Sequence, residues 1–265
     1  MRMMSIASGS SGNCIYIGSD DTHILIDAGI SRRRIEDGLK LAGLSIADID
    51  AIFVTHEHSD HIKGLGVIAR RDAIPIYTTS GTMKGIRQTS SLGEIPADLF
   101  RQVAADENVQ VGDLTVHSFA VSHDAAEPVA YTVSCGSKKA GVCTDLGIYT
   151  DYTVQNLKGA DALLVEANHD INLLEVGPYP YYLKQRILGK KGHLCNEAGG
   201  RLISSVLSGR IRAVFLGHLS KENNYDRLAY EAVRQEIDLA DNEYKAKDFD
   251  IRIAGRDVPS GIVEL

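Results

Sequence analysis

The stretch Ala51-Ile52-Phe53-Val54-Thr55-His56-Glu57-His58-Ser59-Asp60-His61 decides how this chain is read. Its first five residues are apolar and β-favouring, which predicts a buried strand. The next six place three imidazoles and a carboxylate, His56, His58, Asp60 and His61, on the loop leaving that strand's C-terminal end. Imidazole nitrogen and carboxylate oxygen are ligands that zinc, iron and manganese accept. Four such groups this close together crowd one tetrahedral ion and suit two ions sharing a site. Gly64 and Gly66 then open an apolar stretch, so a helix is expected over about residues 62–71. The plainer alternative is a His-rich surface loop. The strand before it, and further His and Asp residues downstream, weigh against that alternative.

At 265 residues the chain can bury a substantial core, and no Pro/Ser linker or low-complexity stretch divides it, so 1–265 is read as one domain. Hydrophobic content of 44% and charged content of 24% are ordinary for a soluble globular protein. No apolar run approaches the roughly 18–20 residues that span a bilayer. Met1-Arg2-Met3-Met4-Ser5-Ile6 lacks the apolar core of a signal peptide, so a cytoplasmic location without membrane attachment is expected. Cys14, Cys135, Cys143 and Cys195 show no CxxC spacing and read as free thiols. A net charge of −7 argues against coating nucleic acid by bulk electrostatics. Local basic clusters remain, at Arg32-Arg33-Arg34 and at Lys184, Arg186, Lys190 and Lys191. The usual reading of each is a solvated helix face, and it weighs more for the arginine run than for the second cluster.

Strand-like segments at 3–7, 14–18 and 24–27 lead to a helix capped by Ser31. The metal loop follows, and then strands at 74–78, 114–121, 129–134 and 139–144, with a helix at about 81–89. The second half repeats the theme, with strands at 162–167, 213–216 and 249–253 and helices at 151–157, 196–208 and 227–237. Two halves of this kind predict two sheets packed face to face with helices on both outer faces, an α/β (α+β) four-layer αββα sandwich. Two ions need more ligands, and His123, Asp145 and His218 each follow an apolar run, at the expected ends of later strands.

Thr55-His56-Glu57-His58-Ser59-Asp60-His61 resembles the THxHxDH signature of the metallo-β-lactamase superfamily, and Asp27, His123, Asp145 and His218 match its other motifs in order. The resemblance implies the αββα sandwich with a dinuclear site at one edge. It implies that His56, His58 and His123 bind one divalent ion, that Asp60, His61 and His218 bind the other, and that Asp145 bridges them. Asp27 would orient a ligand through a hydrogen bond. The ions would be Zn²⁺ or Mn²⁺, with Fe²⁺ also accepted by this donor set. Two ions about 3.5–4 Å apart activate water as a nucleophile and polarise the scissile group. Asp60 can position that nucleophile. His58 stands where the flavodiiron branch has Glu, which favours hydrolysis over redox chemistry.

The motif alone does not choose a substrate. Leu164-Val165-Glu166-Ala167-Asn168-His169 and Gly192-His193-Leu194-Cys195-Asn196-Glu197-Ala198 resemble segments of ribonuclease Z-type enzymes, in which the loop histidine protonates the leaving oxygen. His193 aided by Glu166 would take that role; the plainer alternative for His193 is a helix-capping residue. Ser8-Gly9-Ser10-Ser11-Gly12-Asn13, Gly177-Pro178-Tyr179-Pro180 with Leu183, Lys184 and Arg186, and the two Gly-His-Leu segments resemble the YycJ/WalJ family. That likeness implies 5′-to-3′ exonuclease action on double-stranded DNA, held by non-specific backbone contacts. Ser10, Asn13, Tyr179, Lys184, Arg186 and His169 are the candidate substrate contacts. Tyr179, Tyr181 and Tyr182 beside the lysines could stack on bases, or could lie on a helix with the tyrosines facing the core. Two other functions stay in view: hydrolysis of a small thioester, lactone or cyclic phosphodiester, and a non-catalytic regulatory metal-binding protein.

Overall fold

The computed structural model describes residues 1–265. Its strands are β1 (Arg2–Ala7), β2 (Cys14–Gly18), β3 (His23–Ile26), β4 (Ala51–Phe53), β5 (Ile76–Thr78), β6 (Phe100–Gln102), β7 (Asn108–Val111), β8 (Leu114–Ala120), β9 (Val129–Cys135), β10 (Lys138–Cys143), β11 (Ala162–Glu166), β12 (Ala213–Gly217), β13 (Ile251–Ile253) and β14 (Val263–Glu264). Its helices are α1 (Arg32–Leu39), α2 (Ser59–Ile62), α3 (Leu65–Asp72), α4 (Ser80–Gln88), α5 (Asp151–Leu157), α6 (Ile171–Val176), α7 (Tyr181–Leu188), α8 (Asn196–Val206) and α9 (Asp226–Leu239).

The strands form two seven-stranded sheets, in the orders β14-β1-β2-β3-β4-β5-β6 and β13-β12-β11-β10-β9-β8-β7. In the first, the pairings from β14 to β3 are antiparallel and those from β3 to β6 are parallel. In the second, the pairings from β7 to β10 are antiparallel and those from β10 to β13 are parallel. The two halves thus share one topology, and the duplication expected from element order is a property of the sheets themselves.

Side-chain alternation builds the layers. On β3, Ile24 and Ile26 face the other sheet and Leu25 faces the helices; on β12, Phe215 faces the other sheet and Val214 and Leu216 face the helices. Both faces of these strands are therefore apolar, which is why they read in sequence as continuous runs rather than alternating ones. Ile35, Leu39, Leu65, Ile68 and Ile86 of α1, α3 and α4 cover the first sheet. Val154, Leu202, Val206, Val233 and Ile237 of α5, α8 and α9 cover the second. Burying each such side chain contributes roughly 1.5–3 kcal/mol, so the three apolar layers together dominate stability. The expected four-layer αββα order is present.

Three local expectations need correction. The helix expected at about 62–71 is two helices, α2 and α3, broken at Lys63-Gly64. Gly64 N–H donates to Ala28 carbonyl at 2.8 Å, and a Cβ there would strike the Ile30 carbonyl, so the chain turns where it packs against the β3–α1 loop. Asp60 and His61 consequently sit on a helical turn rather than on a loop. The tyrosine-rich segment does form a helix, α7, but Tyr181 and Tyr182 are 77% and 74% exposed and face solvent, not the core. No helix is long and apolar enough to cross a membrane.

Candidate metal centre

The site lies at the C-terminal ends of strands from both sheets. His56 and His58 follow β4, and Asp60 and His61 lie on α2. His123 follows β8, Asp145 follows β10 and His218 follows β12. Strand ends hold side chains rigidly while leaving them outside the sheet, where a ligand can reach them. Asp27, Asp145 and His218 have φ of 62°, 58° and 55°. They are three of only five non-glycine residues in the left-handed region. Asp accepts that conformation more readily than most residues, and such outliers gather at functional sites.

Four imidazoles are anchored through Nδ1. Thr55 Oγ1 donates to Asp27 at 2.9 Å and lies 3.0 Å from His56 Nδ1, which donates to it. His61 Nδ1 is 2.7 Å from Asp27 Oδ2, His123 Nδ1 is 3.0 Å from the Gly192 carbonyl, and His218 Nδ1 is 3.0 Å from Glu166 Oε1. Each Nε2 is thereby left to face the other donors, the arrangement by which an outer carboxylate or carbonyl fixes a metal-binding imidazole. His58 turns its Nδ1 inward instead, to 3.2 Å from His123 Nε2.

The donor atoms converge into overlapping groups whose members lie within 4.8 Å of one another. One is His56, His58 and His123; another is Asp60, His61 and His218; Asp145 joins His56 and His61 on one side and Glu166, His193 and His218 on the other. All seven sequence-expected ligands are therefore brought together, with Asp145 between the two triads. The residues fit divalent ions on two grounds. His56 Nε2 is buried with no hydrogen-bond partner, and the equally buried Asp145 Oδ2 meets only the His61 imidazole, at 3.2 Å from its Nε2. In addition, Asp27, Asp145 and Glu166 are almost completely buried, and buried carboxylates need compensating positive charge.

Electrostatics follow from that imbalance. Burial and the neighbouring His61 push the His56 pKa well below the usual histidine range. Burial would lower His218 too, but Asp145, Asp60 and Glu166 outweigh it and raise this imidazole to about 10. Burial opposes ionisation of Glu166, yet the charge and hydrogen bond of His193 and the hydrogen bond of His218 hold its carboxyl at about 2. Burial likewise opposes a charged His193, and Glu166 overcomes it, so the His193 pKa is raised.

Glu166 is fully buried. Its Oε1 accepts from His193 Nδ1 at 2.8 Å and from His218 Nδ1, and its Oε2 accepts from the N–H groups of Leu146 and Leu194, each at 3.1 Å. His193 with Nδ1 tied in this way presents Nε2 to the site.

A depression of about 210 Å³ opens over the cluster. It is lined by Ser10, Tyr179, Arg186 and His193 together with His58, Asp60, Asp145 and His218. Three other expected substrate contacts lie elsewhere. Asn13 is 1% exposed; its side-chain Oδ1 accepts from Gly9 N–H at 2.9 Å and its Nδ2 is 3.1 Å from His61 Nε2, so it packs against a donor atom instead of facing the depression. His169 is 1% exposed, with Nδ1 3.3 Å from Asn168 Oδ1, and does not line the depression. Lys184 donates Nζ to the Glu175 carbonyl at 2.7 Å and holds α7 to α6. The Ser8–Asn13 loop spends N–H groups internally, Gly12 donating to the Gly9 carbonyl at 2.9 Å and Asn13 to the Asp60 carbonyl at 2.7 Å.

Two residues were not anticipated. Asp124 pairs with Arg186 at 2.5 and 3.1 Å, and Thr55 relays between Asp27 and His56. Asp124 is adjacent to His123, a signal available in sequence, but its partner lies 62 residues away.

The Beta-lactamase superfamily domain model matches residues 22–206, more than half of the chain. The chain is 41% identical, over 88% of both chains, to a Bacillus anthracis protein named exodeoxyribonuclease YycJ. It is 38% identical, over 89% of its own length and 88% of the other's, to a Streptococcus pneumoniae protein named exodeoxyribonuclease WalJ. Among solved structures, the metallo-β-lactamase fold protein YhfI from Bacillus subtilis superposes with a TM-score of 0.70 at 17% identity, covering 100% of this chain and 98% of that one. This last likeness concerns the fold. A family model matched over more than half of the chain, and relatives 41% and 38% identical over most of its length, make it a member of the metallo-β-lactamase superfamily and of its YycJ/WalJ family.

Proposed function

We propose that this chain is a metal-dependent exodeoxyribonuclease that shortens double-stranded DNA in the 5′-to-3′ direction. The observation that carries the reading is the Glu166–His193 pair facing the converging donors, in a chain related over most of its length to proteins named exodeoxyribonucleases. His56, His58 and His123 would hold one divalent ion, Asp60, His61 and His218 a second, and Asp145 both. The donor set takes Zn²⁺, Mn²⁺ or Fe²⁺. When bound, such ions supply an activated water at neutral pH and offset the charge that develops on the phosphoryl oxygens.

The protein's own groups do the rest. Asp60, with its side chain 21% exposed, accepts a proton of the attacking water and fixes its direction. His193 delivers a proton from Nε2 to the departing sugar oxygen, a strongly basic leaving group that needs an acid. Glu166 keeps His193 charged and aimed. Arg186 and Ser10 at the rim hold phosphate oxygens, and the depression offers no built reader of base edges, so recognition follows the backbone and not the sequence. The partner in this reading is DNA bound non-specifically, and a cytoplasmic location accords with such a substrate.

Digestion of a 5′-end-labelled duplex with Mn²⁺ or Zn²⁺, beside an Asp60→Ala control, tests the proposal. Metal-dependent release of nucleotides that the control lacks supports it. An intact duplex with metal-loaded protein that hydrolyses a small thioester or lactone overturns it.

A further inference from the structure

A second depression, about 430 Å³, borders the donor cluster through His123. Arg186 lines the first depression, and His123 and Ala125, the neighbours of Asp124, line the second, so the Asp124–Arg186 ion pair stands between them. Val121, Pro128 and Ile148 give the second depression an apolar wall. Thr150 and Lys191 add a hydroxyl and a cation, and Tyr152 adds an aromatic ring.

Tyr152 is held in place. Its hydroxyl donates to Asp106 Oδ1 at 2.5 Å and accepts from Ala120 N–H at 3.2 Å, and its ring meets Phe119 edge-on with centroids 6.4 Å apart. With the hydroxyl engaged on both counts, the exposed part of the ring, 39% of the residue, is what a ligand can use. Ile148 is 41% exposed with nothing covering it. Apolar and aromatic walls with one cation suit a flat heterocycle carrying an anion. The depression over the cluster is half the volume and lined mainly by polar groups, which suits a phosphodiester and not a base.

We propose that the second depression receives the nucleotide adjoining the scissile phosphodiester, its base against Tyr152 and Ile148 and its phosphate toward Lys191. The assignment rests on the nuclease reading above and deepens it. Every base presents a π-face, so such a place grips without reading sequence. A ring already fixed by two hydrogen bonds loses little freedom on binding.

Three variants test it: Ile148→Trp fills the depression, Tyr152→Ala removes the ring, and Tyr152→Phe keeps the ring while dropping the hydroxyl. Two quantities are measured on the metal-loaded protein, KM for duplex digestion and Kd for a fluorescent duplex made resistant to cleavage by phosphorothioate linkages. Ile148→Trp and Tyr152→Ala should raise both about tenfold, equivalent to ~1.4 kcal/mol and within the range for one lost stacking contact. Tyr152→Phe should stay near wild type. A duplex with an abasic nucleotide beside the scissile bond should bind wild type and Ile148→Trp equally. Wild-type KM and Kd in both Ile148→Trp and Tyr152→Ala overturn the assignment while leaving the nuclease reading intact. Wild-type protein that hydrolyses bis(p-nitrophenyl) phosphate but leaves duplex untouched overturns the nuclease reading, and this assignment with it.

Discussion

His193 and His218 stack with ring centroids 5.3 Å apart, and both donate Nδ1–H to one oxygen, Oε1 of Glu166, at 2.8 and 3.0 Å. A single buried carboxylate thus orients the candidate proton donor and one of the candidate ligands. The two roles are mechanically coupled through it, yet only His218 belongs to the Asp60–His61 triad.

That separation is measurable. His193→Ala should keep its metal and lose about 10²–10⁴-fold in kcat on DNA, the usual worth of a positioned acid. Turnover of bis(p-nitrophenyl) phosphate should fall far less, because p-nitrophenolate departs without a proton. Elemental analysis and kcat on both substrates check this; equal losses on the two would remove His193 from the donor role.

Asp145→Asn isolates charge from shape. Asn tolerates the left-handed backbone, φ 58°, that this position requires. The variant should therefore fold, with metal content after gel filtration below about one ion per chain, since both triads lose a shared anionic oxygen. Undiminished metal content would refute sharing.

Metal uptake should depend on pH with a definite sign. In the metal-free protein His218 is protonated below about 10, because Asp145, Asp60 and Glu166 overcome the burial that alone would lower it. An ion needs the unprotonated ring, so binding expels that proton throughout the neutral range. Affinity then rises with pH, by about tenfold per unit for each proton expelled, and levels off above the pKa. Competition against a chromogenic chelator at two pH values checks the slope; an affinity that is flat or falls with rising pH contradicts it.

Gly29→Ala should damage the site from outside it. A Cβ at Gly29 would collide with the Asp60 carbonyl and approach Asn13 N to 2.7 Å. The α2 turn must shift, costing ~3 kcal/mol as overpacking and loosening the Asp60–His61 pair. Chemical denaturation and metal content should fall together. Normal values for both would show the loop to be softer than its packing implies.

The parts legible in sequence were those with a strong local signature. Strands β3, β11 and β12 are buried on both faces, so Ile24–Ile26, Leu163–Val165 and Val214–Leu216 appear as plain apolar runs. The donor residues follow such runs directly, and their convergence needs only the strand ends to share an edge. Three of the four edge strands were not legible: β6 is exposed at Arg101 and Gln102, β7 is half-exposed along its length, and β14 has only two residues. Helix α7 keeps only Ile187 buried, so its period is too weak to place Tyr181 and Tyr182. Asn13 and His169 were misplaced because proximity in sequence to a motif does not say which side of the ligands a residue takes. Asn13 is buried against His61 Nε2, with its Oδ1 accepting from Gly9 N–H inside the loop.

The donors divide between the two sheets: His56, His58, Asp60 and His61 come from the first, His123, Asp145 and His218 from the second. An ion gripped by His56, His58 and His123 is consequently a cross-link between halves of the chain far apart in sequence. Its binding energy adds to folding energy, by about 2.7 kcal/mol when free metal is a hundredfold above Kd. Metal starvation would then shorten the protein's lifetime as well as silence it, because the two sheets would lose a cross-link at the edge that carries the donors. A cell short of the ion would lose the polypeptide itself to proteolysis instead of storing it in a dormant form.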